Sequence, residues 1–341
     1  MKSKLKYGEN PHQSATSSYA PTSDPLAIQK FKRLDGKTFV GVETSWISLT
    51  DLGRLIQVAE RFANAYRKNI GSALPHFAAL VKHGNPCGAA FGKDPAAVAR
   101  DVWKGDPQAA FGGCLIATFP FTKKIAEALA EGNGGKMPFL SAIAAPSFEK
   151  GITESIGAKS KSTHFIVNKA LAKIPARLSS HREVKSVRDV VLEQTPPQFV
   201  PDFSKTAHNG SALSGNEKKR VISDLSLAYA VCSASTSNTV TLVRDGMLVG
   251  NAVGQQKRVG SAKLALQLAH ENGHDTKGAV AVSDSYFPFP DGVEVLAKDG
   301  IRAIYATSGS VRDNEVFARA AELGVSMFTV PDKEGRMFAG H

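Results

Sequence analysis

Cysteine is scarce in this chain of 341 residues, and the spacing of the few cysteines excludes the usual cysteine-based sites. Only Cys87, Cys114 and Cys232 are present, they lie far apart, and no C-x-x-C pair occurs. This spacing argues against a disulfide framework and against a thiolate zinc site. A Pro-Cys turn in a zinc deaminase needs a second cysteine three positions later, where this chain has Ala90. We therefore expect reduced thiols, no metal, and Cys87 as a small buried filler.

Long hydrophobic runs are also lacking. The longest stretch without charge, residues 225–243, is interrupted by hydroxyl and amide side chains such as Ser233, Thr236 and Asn238. Such a segment does not resemble a membrane-spanning helix. Residues 1–13 carry lysines with no apolar run after them, so no secretory signal is visible. We expect a cytoplasmic protein without a membrane partner.

Acidic residues are outnumbered, since 31 Asp and Glu face 42 Lys and Arg and the net charge is +11. Such a surplus favours anionic partners, either nucleic acid or substrates that carry phosphate or carboxylate groups. The basic residues form short scattered groups, such as Lys218, Lys219 and Arg220, and they are not interleaved with aromatic residues. We therefore favour small anionic substrates and expect no nucleic-acid partner.

Hydrophobic periodicity predicts alternating helices and strands in the first half. Apolar residues within 51–68, among them Leu52, Leu55 and Phe62, recur at the spacing of an amphipathic helix. The other predicted segments are a strand over 77–81, a loop over 82–88, a helix over 95–102, a strand over 112–119, a helix over 122–131 and a strand over 139–145. This alternation is typical of an open α/β sheet.

The second half resumes the alternation after a weak stretch between residues 150 and 215, which holds Pro196, Pro197 and Pro201. We place a boundary there and predict an α/β protein of two lobes, 1–200 and 201–341. Asp245-Gly246 predicts a β-hairpin, which we expect to open a second sheet. The segments predicted around it are helices over 221–231, 261–270, 293–298 and 314–323, and strands over 239–243, 247–249, 278–282, 301–306 and 325–330. No internal repeat is evident in the sequence.

The loop that starts at Lys82-His83 is the first candidate for chemistry. A cation and an imidazole leave an apolar strand together, next to glycines and a proline that restrict the backbone. Histidine exchanges protons near neutral pH, and a neighbouring lysine can stabilise developing negative charge. The alternative is a histidine that only caps or packs, and this loop alone does not decide between the two.

Three further positions in the loops are open to two interpretations. The pair Gly112-Gly113 predicts either a close ligand approach or a simple bend. Asn238 could bind a polar substrate or form a turn. Arg258, near a helix start, suits an anion, although a solvated arginine is the favoured reading.

Two loops of the second half carry further patterns. The segment 283–291 has three aromatics and two prolines, which fits a rigid platform for a flat ligand as well as a hydrophobic plug or a subunit contact. The segment 308–310, Ser-Gly-Ser, resembles a small anion-binding turn.

Taken together, these motifs resemble the AICAR transformylase family over almost the whole chain. The matching segments, in the same order as in the family, are 5–13, 82–88, 110–113, 237–238, 254–258, 283–291 and 308–310. The resemblance is to the transformylase half of a bifunctional purine enzyme. It implies a cytidine deaminase-like fold without the zinc site. Because no chain precedes Met1, we expect a separate protein to supply the IMP cyclohydrolase.

The resemblance implies a one-carbon transferase of IMP biosynthesis. Its reaction moves a formyl group from 10-formyltetrahydrofolate to the exocyclic amine of aminoimidazole carboxamide ribonucleotide (AICAR). His83 then corresponds to the proton acceptor, Lys82 to the transition-state stabiliser and Asn238 to an amide near the formyl group. The resemblance further implies ribonucleotide contacts by Lys6, Tyr7, Gly112, Arg258, Tyr286 and Arg336, and folate contacts by Val259, Asp291, Ser310 and Val311.

In the family, the residues that correspond to Tyr286 and Arg336 reach across a dimer interface, so we expect a homodimer with shared active sites. The chain departs from the family at Ser48, where an amide is usual, and at Ser141, where an acid is usual. Lys6 replaces a usual arginine. A non-catalytic paralogue that binds a purine nucleotide or folate is therefore kept as the alternative.

Overall fold

The computed structural model describes residues 2–156 and 162–340. The elements of its first half are β1 (Lys2–Lys4), β2 (Thr16–Ser18), β3 (Lys32–Arg33), α1 (Trp46–Asn69), β4 (His76–Lys82), β5 (Asn85–Gly92), α2 (Pro95–Lys104), α3 (Pro107–Ala110), β6 (Cys114–Ala117), α4 (Lys123–Gly132), β7 (Ala142–Ala145), α5 (Ile152–Ile156), β8 (His164–Val167), β9 (Glu183–Val187) and β10 (Val190–Gln194). Short 3-10 turns lie at Ile28–Lys30 and Lys169–Lys173.

The second half repeats much of this order. Its elements are β11 (Ala207–Gly210), α6 (Gly215–Cys232), β12 (Val240–Arg244), β13 (Met247–Ala252), α7 (Arg258–Glu271), β14 (Val280–Ser283), α8 (Asp291–Lys298), β15 (Ala303–Ser308), α9 (Asp313–Glu322), β16 (Ser326–Pro331) and α10 (Asp332–Gly335). The predicted helices and strands of this half are all present, with ends shifted by a few residues. The predicted hairpin at Asp245-Gly246 is confirmed.

Local signals explain where several helices begin. The side chain of Ser45 accepts a hydrogen bond from the Ser48 N–H at the start of α1. Asp94 caps α2 in the same way, with Pro95 in the first turn, and Thr122 caps α4. These side chains satisfy backbone N–H groups that have no partner inside the helix.

Twelve strands form one mixed sheet in the order β11-β16-β15-β14-β12-β13-β5-β4-β6-β7-β8-β3. The pairs β6-β7-β8 and β14-β15-β16 are parallel, whereas both central hairpins are antiparallel. The hairpins meet where β13 pairs with β5, with Met247 opposite Ala90. The expectation that the second hairpin opens a separate sheet is therefore wrong, because its strand β13 pairs with β5 and both halves share one sheet. The lobe boundary at 200/201 stays a prediction.

The sheet contains a repeat of topology that the sequence does not reveal. In each half an edge strand and a long helix precede a hairpin, and a second helix and three strands follow it. Read outward from the centre, β5-β4-β6-β7-β8-β3 corresponds to β13-β12-β14-β15-β16-β11. Because the two central strands pair antiparallel, the halves run in opposite directions. At one end of the strands, the first hairpin's turn therefore lies on the same side as the carboxyl ends of β14 and β15. We refer to this row of strand ends as one edge of the sheet.

Helices cover both faces of the sheet. Alternate residues of β4 point to opposite faces, so Ala79 and Val81 join a core with α1 and α6, whereas Ala78 and Leu80 join a core with α2 and α4. A third core lies between the second half's strands and α7, α8 and α9. The core with α1 and α6 contains residues of both halves. Among the helices of residues 2–156 and 162–340, none is both long and apolar enough to cross a bilayer.

Candidate active site

Lys82 and His83 lie at the turn of the first hairpin. The segment predicted as a loop is instead the end of β4, a two-residue turn and the start of β5, with Lys82 opposite Asn85. His83 and Gly84 have φ angles of 52° and 75°. Two left-handed residues in succession are the pattern of a type I′ turn, which matches the twist of the flanking strands. The turn leaves the His83 side chain exposed.

The Lys82 ammonium lies against the loop that precedes β6. Its Nζ donates to the Phe111 carbonyl oxygen over 2.6 Å. A Cβ on Gly113 would stand 2.7 Å from the Val81 carbonyl oxygen, and Gly112 has a φ of 78°. Gly113 thus allows the close approach of the loop to β4, and Gly112 provides the left-handed bend before it.

Ser141, one of the departures noted in the sequence, contacts the same loop. Its hydroxyl donates to the Gly112 carbonyl oxygen over 2.5 Å. Gly112 and Ser141 both precede strands, because the first half is reversed relative to the second. The rule that ligands gather at the carboxyl ends of strands therefore applies to the second half of this site and not to the first.

Two asparagines join the Lys82-His83 turn to the second half. The Asn85 Oδ1 accepts from the Thr236 N–H over 2.9 Å. The Asn251 Nδ2 donates to the Pro86 carbonyl oxygen over 2.9 Å and to the Ser235 hydroxyl over 3.0 Å. These bonds bring the segment that carries Asn238 beside the turn.

Asn238 is half-buried and belongs to a polar network with the buried side chain of Arg258. Its Oδ1 accepts from the Arg258 Nη2 over 2.8 Å, and its Nδ2 donates to the Gln255 carbonyl oxygen over 2.8 Å. Arg258 is further ion-paired with Asp284 and donates to the Ser283 hydroxyl over 2.9 Å. Only 8% of the Arg258 side chain is exposed, so the solvated arginine favoured from the sequence is wrong.

The C-terminal segment lies next to this network. The Met337 N–H donates to the Asp284 carbonyl oxygen over 2.9 Å, and Ala339 exchanges hydrogen bonds with Ser237. Arg336 is ion-paired with Asp332, and this partner raises the pKa of the guanidinium. The nearby Tyr286 acts in the same direction to a smaller extent. Tyr286 and Arg336 are thus near each other within a single chain.

Lys6 and Tyr7 lie at the start of α1. The Lys6 N–H donates to the Thr44 carbonyl oxygen over 3.0 Å, and the Tyr7 carbonyl oxygen accepts from the Trp46 N–H over 3.1 Å. The Lys6 side chain is exposed. This segment therefore lies against the start of α1, the helix that also contacts the Lys82-His83 turn through Asp51.

The four residues predicted to bind folate lie at two helix starts and in the loop after β15. Val259 is in the first turn of α7, Asp291 begins α8, and Ser310 and Val311 follow β15. In the described ranges, none of the four has a direct hydrogen bond or ion pair to Lys82 or His83. They lie at the same edge of the sheet as the turn.

The turn at 308–310 already holds an anion, which the chain itself supplies. The N–H groups of Gly309 and Ser310 donate to the Asp313 carboxylate over 2.6 and 3.1 Å. In the aromatic segment before it, Phe287 is buried and Phe289 is 49% exposed, with the Arg312 guanidinium 4.9 Å from its ring centroid. The segment thus combines one buried aromatic side chain, that of Phe287, with one exposed ring, that of Phe289.

A cavity of about 260 Å³ opens beside Lys82 and His83, and Cys87 and Asp106 also line it. Burial raises the pKa of the Cys87 thiol to about 12, which leaves no thiolate at neutral pH. A larger cavity of about 650 Å³ lies between residues 17–29 and α1, where burial raises the pKa of Glu60 to about 7. None of the predicted site residues lines the larger cavity. Of the predicted site residues, Lys82 and His83 line the smaller cavity.

Sequence reasoning missed three residues of the site. Asp51 accepts the Gly84 N–H over 2.8 Å, Asn85 binds Thr236, and Asp284 neutralises Arg258. Asp51 could have been noticed, because it lies on the apolar face of α1 one turn before Leu55. Asn85 and Asp284 act through partners more than twenty residues away, which the sequence does not reveal. In residues 2–156 and 162–340 no group of three His, Cys, Asp or Glu side chains is placed to hold a metal ion.

The fold and the site define an α/β protein with a Lys-His turn and an Asn-Arg-Asp network at one edge of a duplicated mixed sheet. A sequence profile described as the AICARFT/IMPCHase bienzyme matches residues 1–268. The chain therefore belongs to the AICARFT/IMPCHase bienzyme family.

Curated relatives agree over nearly the whole chain. The bifunctional purine biosynthesis proteins PurH of Thermotoga maritima and Bacillus cytotoxicus are 30% and 33% identical to it over 329 and 326 residues. The PurH protein of Anoxybacillus flavithermus is 31% identical over 328 residues. Each alignment covers 96% of this chain, but the chain spans only 57% to 62% of the length of these relatives.

Proposed function

We propose that this protein transfers a formyl group from 10-formyltetrahydrofolate to the exocyclic amine of AICAR. In this reaction a bond forms between the amine nitrogen and the formyl carbon, and the bond from that carbon to N10 of the folate breaks. A proton leaves the amine and one is returned to N10, so the products are formyl-AICAR and tetrahydrofolate. The observation that carries the proposal is the Lys82-His83 turn, joined through Asn85 to the segment of Asn238.

The amine is a poor nucleophile because its lone pair is conjugated with the imidazole ring and the carboxamide. It therefore needs a base and strict alignment with the formyl carbon. His83, exposed at the tip of its turn, serves as the proton acceptor. Lys82 stabilises the negative charge that develops on the formyl oxygen, as a fixed cation does in an oxyanion site. Its contact with the Phe111 carbonyl oxygen orients the ammonium.

Asn238 contributes in this arrangement chiefly through Arg258. Its amide oxygen and its Nδ2 are both engaged within the chain, so a direct contact with the formyl group requires it to exchange a partner. The hydrogen bonds that Arg258 donates to Asp284 and Asn238 fix its guanidinium, whose remaining N–H groups can then donate to an anion.

We propose the two ligand sets on the same basis. Lys6, Tyr7, Gly112, Arg258, Tyr286 and Arg336 would bind the ribonucleotide, and Val259, Asp291, Ser310 and Val311 the folate. Both substrates are anions, which fits the net charge of +11. The order of helices, hairpins and strands in each half supports the finer assignment of a cytidine deaminase-like fold.

We further propose a homodimer in the cytoplasm. The β9-β10 hairpin supports it, because this two-stranded sheet exposes the apolar side chains Val184, Val187, Val190, Val191 and Leu192. An isolated hairpin is marginally stable in water, so a second copy that covers these side chains would stabilise it. Light scattering of the purified chain that gives a monomer at micromolar concentration would contradict the dimer.

The decisive test is turnover of 10-formyltetrahydrofolate and AICAR by the purified chain, followed as tetrahydrofolate release. His83→Asn should lower kcat by about 10²–10⁴-fold, because it removes the base while asparagine tolerates the left-handed backbone. Asp245→Asn, the matched change in the second hairpin's turn, should leave kcat within about 2-fold, a change too small to involve a catalytic group. Tight binding of either substrate without turnover would favour the non-catalytic paralogue instead.

A further inference from the structure

Asp51 is a buried carboxylate that contacts the turn of Lys82 and His83 from outside the hairpin. It lies in the second turn of α1 and is 3% exposed. Its Oδ1 accepts from the Gly84 N–H over 2.8 Å, and the nearby His83 N–H acts to lower the pKa of this carboxyl. Neither resemblance nor spacing assigns it a role.

The turn needs such support because of the backbone conformation of His83. A φ of 52° lies in the left-handed region, which is costly for a residue other than glycine. The N–H groups of such a turn need acceptors, and a side chain outside the hairpin can supply one. A carboxyl group suits this position because it carries two oxygens that can accept such N–H groups.

The second half contains the same arrangement of a helix carboxyl group and a left-handed turn, but without a Lys-His pair. Asp224 of α6 is 1% exposed and accepts the N–H groups of Asp245 and Gly246 over 3.0 and 2.8 Å. These two residues have φ angles of 49° and 81°. The fold thus uses a helix carboxylate twice to hold a left-handed turn, and only the copy at Asp51 carries the Lys-His pair.

The same helix connects the turn to the N-terminal segment. The first N–H of α1, that of Trp46, donates to the Tyr7 carbonyl oxygen, and Asp51 follows less than two turns later. A rigid helix therefore sets the distance between the residues proposed to bind the ribonucleotide and the residues proposed to act on its amine.

We propose that Asp51 is a positioning residue, whose carboxylate holds the His83-Gly84 turn so that Lys82 and His83 are aligned with the reacting groups. This inference rests on the proposed formyl transfer. A small misplacement of catalytic groups costs far more in rate than in substrate binding. The expected signature of losing Asp51 is therefore a fall in kcat with little change in KM.

The experiment compares Asp51→Asn with the matched variant Asp224→Asn in the full chain. The amide keeps one acceptor, but its NH2 group faces the second N–H of the turn. Asp51→Asn should lower kcat on the order of 10²-fold and leave both KM values within about 2-fold. Asp224→Asn should lower the melting temperature without changing kcat. An unchanged kcat in Asp51→Asn, or an equal loss in Asp224→Asn, would overturn the proposal.

A second measurement does not depend on activity. Hydrogen exchange read by mass spectrometry should show faster exchange over residues 82–86 in Asp51→Asn and no change over residues 244–248, with the reverse in Asp224→Asn. If the wild-type chain transfers no formyl group, the proposed function fails, and this exchange pattern alone decides whether Asp51 holds the turn. Unchanged exchange over 82–86 would reject it.

If Asp51→Asn does not fold, Asp51→Glu replaces it. Glutamate keeps the charge and displaces it by one methylene, so the turn should shift without losing its acceptor. The expected result is again a lower kcat with unchanged KM values, and a kcat equal to that of the wild type would count against the positioning role.

Discussion

The two central hairpins share one backbone design and differ in the surroundings of the basic residue that precedes each turn. Lys82 precedes His83-Gly84, and Arg244 precedes Asp245-Gly246. Arg244 is neutralised by the carboxylates of Asp245 and Asp275, at 3.3 and 2.5 Å. Lys82 instead donates to a carbonyl oxygen, and within the described ranges no carboxylate forms an ion pair with it.

This difference shows that the fold supplies the turn and that the charges around it decide its use. A cation that no carboxylate neutralises can oppose negative charge that develops on a ligand, which is the role proposed for Lys82. Arg244, which lies between two carboxylates, is not available for such a role. Duplication of the fold thus provides two equivalent edges, of which one carries the residues of the proposed chemistry.

The largest expected difference between the two hairpins is the effect on kcat of replacing their basic residues. Lys82→Met should lower kcat by about 10²–10³-fold, because it removes the cation that opposes developing negative charge. Arg244→Met should leave kcat unchanged and cost about 1 kcal/mol of stability or less, as expected for partly exposed ion pairs. Steady-state kinetics and denaturant unfolding of the two variants measure these effects. Equal losses of activity would show that the two edges are not distinct.

A smaller effect concerns the carboxylate beneath the second turn. Burial raises the pKa of Asp224 from 3.8 to about 6. Its contribution to stability is therefore fully present below its unfolded pKa and is lost as the pH rises through the folded pKa. Between about pH 4 and about pH 7 this loss amounts to about 3 kcal/mol. Unfolding free energies measured across this range should fall more steeply for the wild type than for Asp224→Asn.

The same measurement on Asp51 sharpens the comparison. Burial also raises the pKa of Asp51, although the Gly84 N–H and the charge of His83 act against it. Asp51→Asn should thus change the slope in the same direction as Asp224→Asn. Parallel pH profiles for Asp224→Asn and the wild type would show that the second carboxylate does not titrate as described.

The smallest expected effect separates the two turn glycines. Alanine in the left-handed region costs about 1–2 kcal/mol at either position. A Cβ at Gly84 meets nothing within 4 Å, whereas one at Gly246 stands 2.8 Å from the Phe91 carbonyl oxygen. Gly246→Ala should therefore be the more destabilised variant in denaturant unfolding. A larger loss in Gly84→Ala would mean that the first turn is the more tightly packed one.

Much of the secondary structure could be predicted from the sequence, because apolar periodicity and caps are local. The helix around Leu52 and Phe62 and the hairpin at Asp245-Gly246 are examples. The strand at Asn85–Gly92 was missed, since its glycines and Pro86 are typical of a loop, and only pairing with β4 and β13 makes it a strand. The single sheet depends on that same long-range pairing and so left no local signal.

The site was predictable to a similar extent. The Lys82-His83 pair stands out because two chemically active residues follow an apolar strand. The interpretation of Arg258 as solvated was wrong because its partner Asp284 is 26 residues away and is brought near only by the fold. Asp51 was overlooked for the same reason, since its role depends on a turn that folds back onto α1.

The Asp313 carboxylate at the Gly309 and Ser310 amides has a consequence for any ligand of that loop. A carboxylate tethered a few residues away competes at a high effective concentration, so a free anion must displace it before it can use the same amides. The loop thereby discriminates against small inorganic anions that lack further contacts. A ligand that also binds elsewhere on the same edge gains further contacts that help it to displace the Asp313 carboxylate. A lone phosphate has no such contacts.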